Sequence, residues 1–151
     1  MGASWVENYF TAWSRHAQAS APKAGAAELA RMLAFMSADI RYEDVPTGLV
    51  FIGHAGVREM GAQALLMAND LRFTLVSAQM SDDQFAFETE TDGTNTGPVG
   101  AIPATGRTFK LRGVSIGRRS PEGTVVSHKD YWDLAGYLRQ IGLLPGPGRA
   151  P

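Results

Sequence analysis

The stretch SHKDYWD, residues 127–133, sets a histidine, a lysine and two aspartates beside large aromatic rings. On a strand through 125–132 side chains alternate, so Val126, His128, Asp130 and Trp132 share one face. Val125, Ser127, Lys129 and Tyr131 share the other. His128 and Asp130 are then neighbours. If their face lines a pocket, desolvation raises the pKa of Asp130 and His128 adjusts it, which tunes a weak base toward neutral pH. Asp133 directly precedes LAGYLRQIGLL, where its side chain can accept from the open amides of a helix start. It reads as a cap rather than a proton carrier. A further carboxylate, Asp44, lies in YEDVPTG, either as a second pocket acid or as the residue that orders the PTG turn.

These groups need elements to hold them. Residues 4–18 carry Trp5, Val6, Tyr9, Phe10 and Trp13 at helical spacing, with Ser4 as cap and Glu7 three residues on. SAPKAG breaks this helix. AAELARMLAFMSADI reads as a second helix running into a strand, RYEDV. PTGLVFIG reads as a turn-rich connection, and HAGVREMGAQALLMAND as a third helix. The period then changes to two. LRFTLVSAQ alternates, and QFAFETET puts Phe85, Phe87, Thr89 and Thr91 on one face with Glu88 and Glu90 on the other. Residues 93–107 are rich in Gly, Thr and Pro and read as a loop or bulged strand ends. TFKLRGVSIGRR puts Phe109, Leu111, Gly113 and Ser115 on one face. Lys110, Arg112, Val114 and Ile116 take the other. SPEG suits a type I turn. TVVSHKDYW is the last strand, DLAGYLRQIGLL a closing helix, and 146–151 a disordered tail.

Helices followed by an antiparallel run of strands imply an α+β fold. The expected form is a curved antiparallel sheet wrapped on the N-terminal helices, a cone-shaped barrel with one apolar cavity. Residues 1–145 form a single domain. In a cone, core and pocket wall coincide, so Tyr9, Trp13, Phe87 and Phe109 are candidate substrate contacts, with Trp132 at the end of the Asp130 face. Their bulk suits a flat polycyclic or terpenoid ligand.

Of the 151 residues, 44% are apolar and 19% charged, which fits one soluble globular domain. A net charge of −1 argues against a nucleic-acid or anionic-membrane surface. The chain has no cysteine, so thiolate chemistry is out. His16, His54 and His128 lie far apart without metal-ligand spacing, and no metal or other cofactor is expected. His16 and His54 read as solvated helix residues. The glycines of PVGAIPATGR lack the strand-then-helix context of a phosphate loop. MGASWVENYF shows no secretory signal, so a cytoplasmic location is expected.

The order of elements resembles the nuclear transport factor-like superfamily over roughly residues 4–145, and within it the SnoaL-like polyketide cyclase group. Three stretches carry the resemblance: YEDVPTG with GHAGVREM, GTNTGPVGAIPATGRTFKLRGVSI, and DYWDLAGYLRQIGLLP. In those cyclases a pocket aspartate on the late strands is the acid/base group, and in the similar limonene-epoxide-hydrolase group a DYFD-like stretch supplies a catalytic aspartate matching Asp130. An alignment shifted by three residues would pass that role to Asp133. Asp44 resembles the general-base position of ketosteroid isomerases, and Tyr9 falls near their oxyanion tyrosine. Their protonated aspartate falls at Ser115, a weaker neutral donor, which counts against the isomerase reading. Asn95 lies where SnoaL-like proteins often show histidine; its amide either binds a substrate carbonyl or holds a loop turn. The epoxide-hydrolase reading needs an Arg-x-Asp pair where this chain has FETETDG, without arginine.

The resemblance implies a cofactor-free enzyme. Asp130, assisted by His128, would take a proton next to a carbonyl of an apolar oxygenated ligand, with Tyr9 or Asn95 steadying the enolate. Aldol cyclisation or isomerisation would follow. A non-catalytic binding or assembly domain, in which Asp130 is solvated or fully paired and no cavity reaches it, and epoxide hydrolysis are the rivals. A homodimer is implied as well, through the outer sheet face that bears Val114 and Ile116.

Overall fold

Ser4 starts the first helix as its sequence suggests. Its hydroxyl accepts from the amide of Glu7 at 3.3 Å, and the Glu7 carboxylate accepts from the Ser4 amide at 2.7 Å, a reciprocal cap. A computed structural model describes residues 4–18, 22–98 and 100–146. The elements run α1 (Trp5–Gln18), α2 (Pro22–Ala34), β1 (Met36–Asp44), β2 (Leu49–Ile52), α3 (Gly53–Met67), β3 (Arg72–Ser81), β4 (Gln84–Thr94), β5 (Thr108–Arg119), β6 (Val125–Trp132) and α4 (Leu134–Gln140). Among the described residues no helix is long and apolar enough to cross a membrane. The expected tail lies, over 147–151, outside the described residues.

The fold is α+β, with one curved, unclosed sheet in the order β2-β1-β6-β5-β4-β3. Four pairings are antiparallel, but β1 and β6 run parallel, so the sheet is mixed. Alternation reports which face a side chain takes and is silent on which strand lies next to it, so the parallel pair has no local signature. Two boundaries also differ from expectation. MSADI belongs to β1, because Met36 and Ile40 are buried and Met36 pairs with Val125. LVFI is a short strand that pairs with Arg41–Asp44.

Two apolar clusters form the interior. The larger joins α1, α2 and β1 to Phe85 and Phe87 of β4. The smaller gathers Ala68, Leu71, Phe109, Leu111, Tyr137 and Ile141 under α4. Phe85, Phe87 and Thr89 are buried on one face of β4, and Phe109, Leu111 and Ser115 on one face of β5, as period-two alternation predicts. The opposite face is charged. Glu90 meets Lys110 at 3.5 Å and Arg112 at 3.9 Å across the β4–β5 ladder.

Candidate active site

Register builds the site. Asp44 of β1 lies opposite Asp130 of β6, and Asp130 lies opposite Ser115 of β5. Three polar residues thus stand in one row across three strands. In the adjacent row Tyr42 lies opposite His128, and His128 opposite Gly117. Gly117 has to be small: a Cβ there would come within 2.5 Å of the Phe85 ring and 2.2 Å of the Ser127 carbonyl. With that space left open, the His128 ring is fully buried and stacks on Tyr42 at 4.3 Å and 9°.

Asp130 is the most heavily bonded group of the site. Its Oδ1 lies 2.7 Å from His128 Nε2 and accepts from Ser115 Oγ at 2.6 Å. Its Oδ2 accepts from the Tyr42 hydroxyl. Behind this pair, Tyr9 Oη lies 2.8 Å from His128 Nδ1, and Trp13 Nε1 donates to Tyr42 Oη at 2.7 Å. With Asp130 ionised, His128 carries its proton on Nε2 and Nδ1 can accept from Tyr9. Burial pushes the Asp130 carboxyl up, as expected, but the electrostatic attraction of His128 and the bonds from His128, Ser115 and Tyr42 outweigh it and hold the group below its ordinary value. Burial and the charge of Asp130 drive the Tyr42 hydroxyl well above the ordinary tyrosine value.

The row opens on a cavity of about 580 Å³ between the two apolar clusters. Asp130, Asp44, Tyr42, Ser115, Trp13 and Trp132 border it, with Phe109 and Phe73 among the apolar walls. The Asp130 side chain is 19% exposed against 0% for His128, so the carboxylate is the end of the relay that reaches the cavity. Asp44 accepts from Trp132 Nε1 at 2.6 Å and from Thr47 Oγ1 at 2.5 Å. Burial raises its pKa, the two donors lower it, and the Asp130 charge raises it again, leaving a net rise. Asp44 thus borders the cavity and at the same time ties down the Thr47 turn.

Other candidates lie elsewhere. Tyr9 and Phe87 are buried behind the cavity wall, Tyr9 against His128 and Phe87 against Phe10 and Trp13. Asn95 is fully buried off the cavity. Its amide donates to the Gly97 carbonyl at 2.9 Å, and its oxygen accepts from the Thr105 amide at 2.8 Å and hydroxyl at 3.0 Å. It holds the 95–107 loop, which corrects the alternative of a substrate contact. Val126 leaves the Asp130 face because the β5–β6 register shifts between Arg118 and Arg119, and Val125 takes the buried place. His16 is 4% exposed rather than solvated; it borders the cavity and packs where Gly61 lacks a side chain, since a Cβ there would meet Nε2 at 2.1 Å. Burial lowers its pKa, against the Gly25 backbone and the Glu28 charge. His54 is half-buried, with Nε2 2.9 Å from the Met36 carbonyl oxygen. Asp133 caps α4 by accepting from the Gly136 amide at 2.8 Å.

Tyr42 is the residue that sequence reasoning missed. Its signal was present, because it lies two places before Asp44 on a strand and so shares its face. Among the described residues no cluster of three or more metal-ligating side chains occurs.

A family model described as SnoaL-like polyketide cyclase matches residues 14–141. Solved structures share the fold. TsrD from Streptomyces laurentii is 23% identical, with 95% of this chain and 99% of that one covered at a TM-score of 0.77. A hypothetical protein with a ketosteroid isomerase-like fold from Catenulispora acidiphila, in complex with trimethylamine, is 22% identical, with 91% and 93% covered at a TM-score of 0.71. No curated protein matches the sequence.

Proposed function

The chain belongs to the SnoaL-like polyketide cyclase family, and from that premise we propose that it is a cofactor-free acid/base enzyme acting on an apolar, oxygenated, polyketide- or steroid-like substrate. Asp130 takes a proton from carbon next to a carbonyl. The observation that carries this reading is that Asp130 alone of the Tyr9–His128–Asp130 relay borders the cavity. His128 and Ser115 fix its Oδ1, so that Oδ2 is the oxygen that works.

Tyr42 couples the proton to the developing charge. Trp13 Nε1 can only donate, so Tyr42 Oη always accepts from it and has one proton of its own to place. At rest that proton goes to Asp130 Oδ2. Once Oδ2 takes the substrate proton it becomes a donor to Tyr42 Oη, and the Tyr42 proton turns to the enolate oxygen. The C–H electron pair is then the enolate C=C, and the negative charge meets a donor as it appears. The enolate carbon attacks a second carbonyl of the same molecule, a C–C bond forms, and the new alkoxide recovers the proton from Asp130. Nothing is gained or lost overall, so aldol cyclisation needs no co-reactant. Return of the proton to a different carbon gives isomerisation instead.

Epoxide hydrolysis gains no support. Arg112, on the outer face of β5, has a side chain 82% exposed and paired with Glu90, not with Asp130. A non-catalytic domain implies an Asp130 that is solvated or fully paired and reached by no cavity; Asp130 is fully paired, but a cavity reaches it, and that opening favours an enzyme.

The test is a screen of oxygenated polyketide-type ketones with wild type, Asp130→Asn and Tyr42→Phe. Loss of at least about 100-fold in turnover is expected for Asp130→Asn, the scale of a positioned general base. Tyr42→Phe should lose about 10–100-fold, mostly in kcat. Wild-type turnover retained by Asp130→Asn would remove it as the base.

A further inference from the structure

Tyr137 of α4 is 1% exposed and borders the same cavity. Its ring meets Phe109 edge-on at 5.0 Å and 85°, and Trp132 at 5.8 Å and 82°. Its hydroxyl is buried, yet it has no hydrogen-bond partner among the described residues. Burial raises its pKa, so it stays protonated and able to donate. A buried hydroxyl without a protein partner contributes nothing to the fold that phenylalanine, filling the same space, would not. Among the described residues packed in the same cluster, none supplies a partner. Leu71, Phe109, Leu111 and Leu134 are apolar, and the one polar atom of Trp132 is committed to Asp44.

We infer that Tyr137 is the second polar anchor of the cavity: its hydroxyl donates to a carbonyl or hydroxyl oxygen at the end of the substrate remote from the reacting carbonyl. This rests on the proposed function, since it presumes that the cavity holds an oxygenated ring system. The two anchors lie on walls built by different apolar clusters, Tyr42 in the larger and Tyr137 in the smaller. A ring system oxygenated at both ends is thereby selected over one oxygenated at a single end. Within the site, α4 acts as a reader of the substrate's far edge, and the Asp133 cap, with the Tyr137 amide bonded to the Asp133 carbonyl at 3.0 Å, holds that reader in place.

The experiment measures quenching of tryptophan fluorescence by matched probes. These are a naphthol against a naphthalenediol with hydroxyls at opposite ends, and a monohydroxy- against an end-to-end dihydroxyanthraquinone. The proteins are wild type, Tyr137→Phe and Asp130→Asn. Wild type is expected to bind at least one doubly oxygenated probe about 10-fold more tightly than its partner compound. Tyr137→Phe is expected to lose that preference and keep its affinity for the singly oxygenated probe. Without ligand, its melting temperature should equal or exceed that of wild type. No preference in wild type, a preference that survives in Tyr137→Phe, or a lower melting temperature of ligand-free Tyr137→Phe overturns the inference. Failure of wild type to bind any of the four probes overturns the cavity reading itself, and the inference falls with it.

Discussion

Tyr9 Oη and His128 Nδ1 lie 2.8 Å apart across 119 residues of chain, and the whole of that contact is buried. The imidazole is thereby fixed at both nitrogens, by a phenol on one side and a carboxylate on the other. Its rotation would leave two buried polar groups unpaired, so the ring is locked.

The lock has a pH signature. The folded-state pKa of Asp130 lies below its unfolded value, so the stability it contributes is fully present above the unfolded value, near 4. That contribution is lost as pH falls through the lower folded value. Wild type should therefore melt at progressively lower temperature as pH falls below about 4, and Asp130→Asn should show a flatter curve there. Parallel curves for the two proteins over that range would remove the Asp130 pairing as a source of stability.

Asp44 has the opposite sign. Its folded pKa is raised, chiefly by burial, so its ionised form burdens the fold above that value and the burden lifts as pH falls through it. Asp44→Asn keeps an acceptor for Trp132 and gains a donor toward Thr47. Its melting temperature at pH 7 should rise by a few degrees. A fall in melting temperature at pH 7 would show that the carboxylate is needed as an anion to hold the turn.

A second copy of the chain is the partner we propose for the outer sheet face. Val114, Ile116 and Tyr131 are 38–41% exposed there, beside Glu90, Lys110 and Arg112, a mixture of apolar groups and both charges that can complement itself. Sedimentation should give twice the monomer mass at micromolar concentration, and Val114→Lys with Ile116→Lys should give the monomer. A monomeric wild type ends the proposal.

Much of this was legible in the sequence, for reasons that mark where legibility stops. Alternation put His128, Asp130 and Trp132 on one face, and a cap signal separated Asp133 from them. Both are local rules. That Tyr42 would stand beside His128 depends on a parallel pairing, which no local rule encodes. The side of the balance on which Asp130 falls is equally remote: burial and the neighbouring His128 were foreseeable, but the donors Ser115 and Tyr42 from two other strands were not. His16 looked like a solvated helix residue because its place depends on the missing side chain of Gly61, on another helix.

The parallel pairing of β1 with β6 also governs when the site comes into being. Tyr42 and Asp130 are 88 residues apart, as are Asp44 and Trp132, and each pair joins an early strand to the last one. Contacts of such separation close late, after shorter loops have paid their entropy. Without β6 the chain therefore lacks both the Asp130 carboxylate and the strand that joins β1 to β5. A truncation before β6 removes the Asp130 proton acceptor and leaves unpaired edges on both β1 and β5, which invites aggregation.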